Sequence, residues 1–66
     1  MRAAEVLADG LLTIEQVGAL LAMSRSTVYA LMDRGDLAYV QLGRARRVPK
    51  RAATQLLERN LKGGWR

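Results

Sequence analysis

The sequence predicts a mostly α-helical domain carrying one small β-hairpin, and three observations carry that expectation. Two short segments with helical apolar spacing, beginning at Ile14 and Arg25, are joined by the short connection Ala22-Met23-Ser24. The apolar period then changes to alternation on both sides of Gly43-Arg44. Beyond Pro49 the helical period returns. At 66 residues the chain has room for one domain. A domain this small buries only ~60% of the surface that its unfolded chain exposes, so its core is modest.

Residues 2–9, Arg-Ala-Ala-Glu-Val-Leu-Ala-Asp, form either a short helix or a loose segment; propensity favours the helix, and Gly10 ends it. Residues 1–10 are read as an N-terminal segment, 11–62 as the folded domain and 63–66 as a flexible tail. Thr13 is a good N-cap, and Gln16 three residues later completes a capping box. Leu12 and Val17 hold the hydrophobic-staple positions, and Ile14, Val17, Leu20 and Leu21 form one stripe. Gly18 inside this helix is unfavourable by ~1 kcal/mol relative to Ala. It is either required by the close approach of a neighbouring helix or simply tolerated.

Ser24 caps the second helix, whose buried side is Val28, Leu31 and Met32. Arg25, Ser26, Tyr29 and Asp33 lie away from that side. Gly35 stops the helix, with Arg34 in the last turn where a cation suits the helix dipole. Two short helices with this connection make a helix-turn-helix. Alternation around Gly43-Arg44 predicts a hairpin, which must pack Val40, Leu42 and Val48 onto the helices because a bare hairpin is marginal in water. Pro49 opens a last helix with Ala53, Leu56, Leu57, Asn60 and Leu61 on one face, ended by Gly63-Gly64. Trp65 in the tail either packs back or serves a partner surface.

Charge is divided unevenly. Residues 1–40 carry a net −2, and residues 41–66 a net +7, for a total of +5. Six of the eight bases in the second part are Arg. Arg suits bidentate phosphate and base contacts better than Lys does. The asymmetry points to a polyanion, either nucleic acid or an acidic membrane surface. With no Cys and no His, the chain lacks disulfides, the usual zinc ligands, the commonest general base and a thiol nucleophile. The expectation is a non-enzymatic protein with no metal and no cofactor. No apolar run approaches the ~20 residues of a membrane helix. Residues 1–10 do not read as a signal peptide. The expected location is the cytoplasm, at the nucleoid.

Taken together, the run LLTIEQVGALLAMSRSTVYALMDRGDLAYVQLGRARRVPKRAATQLLER, residues 11–59, resembles the excisionase-type, MerR-like winged helix-turn-helix domain of recombination directionality factors. The resemblance is carried by "SRSTVY", "GDL" and "LGRARRVP" at these spacings. It implies a winged helix-turn-helix. The second helix enters the major groove, and the hairpin wing reaches the adjacent minor groove or the backbone. Two positions depart from the family pattern: residue 46, often aromatic, is Arg here, and Ala38 stands where Pro is frequent.

A helix N-terminus carries free backbone N–H groups and about half a positive charge, and can seat a phosphate. Ser26 and Thr27 let a duplex come close there and can donate to phosphate oxygens. Arg25 can reach a guanine edge or a second phosphate, and Tyr29 can bond to the DNA backbone or meet a thymine methyl. Ser24 is read as a cap only. Thr27 serves either the duplex or the capping network, and Tyr29 either the duplex or packing. At the hairpin, Arg44, Arg46 and Arg47 are candidates for a narrow minor groove or a backbone clamp. The bland alternative is protection of an edge strand. Alternation puts Arg46 on the side of Val48 and Arg47 on the other. Lys50 and Arg51 oppose the local dipole at the start of the last helix, a mild cost that is either tolerated because the two serve phosphates or trivial on an exposed surface.

The leading functional expectation is a sequence-specific, DNA-bending excisionase that promotes integrase-mediated excision of a phage or mobile element. It would bind double-stranded DNA near an attachment site, in several copies that touch head to tail. Bending ~20–30 base pairs costs on the order of 1–6 kcal/mol, which cooperating copies can share. An integrase is a further expected partner, and a membrane is not. The alternatives are a small MerR-like transcriptional repressor and a protein-interaction or antitoxin module. RNA is disfavoured because stacking aromatics are scarce.

Overall fold

The chain-order elements follow from their caps and turns. In the computed structural model, which describes residues 2–63 (of residues 5–7, the backbone alone), α1 spans Ala3–Asp9 and ends at Gly10, whose φ is +91°. A short strand, β1, Leu11–Leu12, leads into α2, Ile14–Leu21. The capping box forms as its residues dictate. The Gln16 N–H donates to Thr13 Oγ1 at 3.1 Å, and the Thr13 N–H donates to Gln16 Oε1 at 2.8 Å. After the turn at Ala22-Met23-Ser24, α3 runs Arg25–Asp33. Gly35, at φ +82°, ends it, and the N–H groups of Asp36 and Leu37 both donate to the Leu31 carbonyl. That wrapping carries Leu37 into the interior, where it is 1% exposed.

Next come β2, Val40–Leu42, and β3, Ala45–Pro49, and then α4, Lys50–Asn60. Gly43 has φ +62° and Arg44 does not share the sign, the pattern of a two-residue type II′ hairpin turn. β3 is the middle strand of an antiparallel sheet ordered β1-β3-β2. Leu12 pairs with Val48 on one side, and Gln41 pairs with Arg46 on the other. β3 packs against both α2 and α4. The core gathers Ile14 and Val17 from α2, Val28 and Met32 from α3, then Leu37, Val48, Ala52, Ala53 and Leu56. Among the described residues, no polar or charged side chain is buried. No helix among them is long and apolar enough to cross a membrane.

The architecture is the mostly helical, hairpin-bearing fold that the sequence predicts, with several side chains placed differently. β1 is an added strand. Leu20 is exposed, because 100° per residue sets it ~120° around the helix from Ile14. Leu57 and Leu61 are exposed for the same geometric reason; the face that α4 buries is centred on Ala52, Ala53 and Leu56. Leu42 is 56% exposed. Register explains it: Val40 faces Arg47 and Leu42 faces Ala45, so both lie on the side opposite Val48. Gly18 is not approached by a neighbouring helix. A Cβ there would lie 2.8 Å from the Met23 carbonyl oxygen, in the turn that follows the same helix. α4 ends at Asn60, before the glycines. The tail beyond Gly63, with Trp65, lies outside the described residues.

Candidate nucleic-acid interface

The start of α3 is built by its cap. Ser24 is extended, with φ −69° and ψ 159°, and its Oγ accepts the Thr27 N–H at 3.3 Å. The same Oγ lies 2.9 Å from Thr27 Oγ1 and 3.2 Å from Ser26 Oγ. One hydroxyl therefore serves as the hub for the other two, and all three residues remain exposed. Thr27 joins the capping network through both its backbone and its side chain. The first turn of α3 contains no acid of its own. Arg25 instead reaches back to α2, where its Nη1 sits 3.1 Å from Glu15 Oε1, with both side chains about two-thirds exposed (64% and 65%). An exposed pair of this kind is weak enough for the guanidinium to leave it for a phosphate or a base edge.

Tyr29, one turn further along, is half-buried. Its ring carries the Arg46 guanidinium 5.2 Å from its centroid, and Tyr39 carries the same group at 4.7 Å. Arg46 also donates from Nε to Gln41 Oε1 and from Nη1 to Asp33 Oδ1, each at 3.3 Å. Its side chain is only 26% exposed. The hairpin therefore lies along the solvent-facing flank of α3, the flank that begins at Arg25. Sequence reasoning gave Tyr39 no role. The available signal was its shared parity with Gln41 and, across the hairpin, with Arg46.

The remaining cations separate into distinct situations. Arg44 occupies the hairpin turn, exposed, and makes no hydrogen bond or ion pair among the described residues. Gln41 Nε2 donates to the Gly43 carbonyl at 2.7 Å and stiffens that turn. Arg47 is half-buried on the opposite face and donates from Nη1 to the Arg46 carbonyl at 2.9 Å. Lys50 is exposed, and its N–H donates to the Gly10 carbonyl. Arg51 is engaged with Asp9 at 2.6 Å and ties α4 to α1. The hairpin thus meets α3 through Arg46 on the flank of Tyr29 and Asp33, while Arg25, Ser26 and Thr27 form the first turn of that helix and Arg44 lies at the hairpin's end. Lys50 and Arg51 sit apart, at the junction of α1 and α4.

Comparison with known proteins agrees with this architecture. A family described as "Helix-turn-helix domain" matches residues 11–61. A protein of Mycobacterium tuberculosis, provisionally named a DNA-binding protein in strains CDC 1551 and H37Rv, is 44% identical over 48 residues. That alignment covers 73% of this chain and 62% of the relative. A protein of Saccharopolyspora erythraea, provisionally named an excisionase, is 40% identical over 42 residues, covering 64% of this chain and 43% of the relative. The chain thus spans about three-fifths of the length of the first relative and less than half of the other. No solved structure matches the chain. With a capped helix pair, a hairpin beside its second helix and a family match across both, the chain belongs to the helix-turn-helix domain family.

Proposed function

We propose that this protein binds duplex DNA and bends it as an excisionase, with α3 in the major groove and the β2–β3 hairpin on the adjacent minor groove or backbone. One observation carries the reading: the hairpin lies along the same flank of α3 that presents Arg25 and Ser26, so one approach of a duplex meets both elements. The free N–H groups and the hydroxyls at the start of α3 receive a phosphate. Arg25 reads a base edge once it leaves Glu15. Thr27 holds the cap that aims them, and Tyr29 borders the groove. Arg44, exposed and unpaired among the described residues, meets the minor groove or its phosphates, and Arg47 supports it from the outer face of the hairpin. Lys50 adds a peripheral phosphate contact, and Arg51 holds α1 rather than DNA. Arg46 is not among the contacts, since its guanidinium is already enclosed.

On this reading several copies bind side by side and touch one another, and an integrase joins them. The test is a gel-shift titration on attachment-site DNA, paired with a circularly permuted bend assay. Stepwise complexes whose mobility depends on site position are expected. A single complex with no bend would instead favour simple repression. Absence of any duplex binding at low salt would leave the protein-interaction reading.

A further inference from the structure

β3 packs on α2 and α4, and a side chain of the hairpin reaches α3. That side chain is Arg46. The guanidinium carbon lies over the ring of Tyr29, on α3, and over the ring of Tyr39, just before β2. The group's edge is satisfied by Asp33 on α3 and Gln41 on β2. A flat cation over two aromatic rings can stack on them as well as carry a charge.

We propose that Arg46 is a positioning residue: it sets the angle between the hairpin and α3, and so lets both reach DNA at once, without touching DNA itself. The inference rests on the DNA-binding reading above. On this account what matters at position 46 is a flat group in contact with both tyrosines, and the positive charge is secondary. A phosphate contact makes the opposite demand. It needs the charge, and it is indifferent to flatness.

The experiment compares Arg46→Lys with Arg46→Phe in the full chain, by fluorescence anisotropy on a labelled duplex carrying the preferred site, across a salt series. Arg46→Lys keeps the charge and loses the plane; its affinity should fall ~10-fold with the salt slope unchanged. Arg46→Phe loses the charge and keeps the plane; it should bind within ~3-fold of the unaltered protein, again with the slope unchanged. If Lys binds as well as Phe or better, or if the Phe variant loses about one unit of salt slope, the inference is overturned while the DNA-binding reading stands. If the unaltered protein fails to bind duplex DNA, that reading falls first. Thermal melts report folding. Should Arg46→Phe melt below the assay temperature, Tyr39→Leu takes its place, removing one face of the stack and no charge. Weakened binding at unchanged slope supports the inference, and undiminished binding overturns it.

Discussion

Gly18 and Ala22 sit one helical turn apart with opposite demands on the backbone. At Gly18 a methyl group would press on the Met23 carbonyl, a backbone atom that cannot swing aside. Gly18→Ala should therefore destabilise the fold by about 1–3 kcal/mol despite alanine's better helix propensity. Ala22 adopts the left-handed region, φ 55° and ψ 45°, where its Cβ crowds the following carbonyl. Ala22→Gly should stabilise by about 0.5–1 kcal/mol. Urea denaturation of the two variants checks both signs. At the proposed interface the two exposed arginines should differ in kind. Arg25→Ala should weaken binding by ~1–3 kcal/mol and relax preference at particular bases. Arg44→Ala should weaken binding to all sequences alike and lower the salt slope by about 1. Competition titrations with mutated sites, repeated over a salt series, separate these outcomes.

At the scale of elements, what could be read from the chain was whatever local chemistry decides. Thr13 and Gln16 announce α2, Ser24 announces α3, and Gly35 and Gly43 announce the two turns, because each forms its bond or its dihedral within a few residues. Thr13→Ala should cost about 1 kcal/mol by breaking the capping box, visible as a lower denaturation midpoint at unchanged m-value. What stayed hidden depends on distant partners. Leu11 and Leu12 become a strand only because β3 arrives beside them. Alternation correctly separated the two faces of the hairpin, but apolar character alone suggested that Leu42 turns inward. The inner face near the hairpin's end is polar instead, made of Gln41 and Arg46 and completed by Tyr29 from another element. No periodicity in β2 or β3 reveals that α3 will supply an aromatic ring to receive an arginine.

For the whole molecule the margin is narrow. Nearly all burial falls to small and medium apolar side chains, and Leu37 is among the largest that are fully enclosed. It stands outside regular structure and joins the core cluster that holds Val28 and Met32 of α3 and Leu56 of α4. Leu37→Ala should remove about 2–5 kcal/mol, a large fraction of the stability available to a domain of this size. Circular dichroism melts should show the variant partly unfolded at room temperature. Binding to DNA should raise its midpoint in proportion to the logarithm of DNA concentration. The pairing of Leu12 with Val48 also fixes when folding can finish. During synthesis, the amino-terminal strand emerges first and waits while both helices of the turn, the loop and the hairpin leave the ribosome. Only when β3 is free of the exit tunnel can the sheet close over Val17, so a nascent chain halted before that point should stay sensitive to protease throughout.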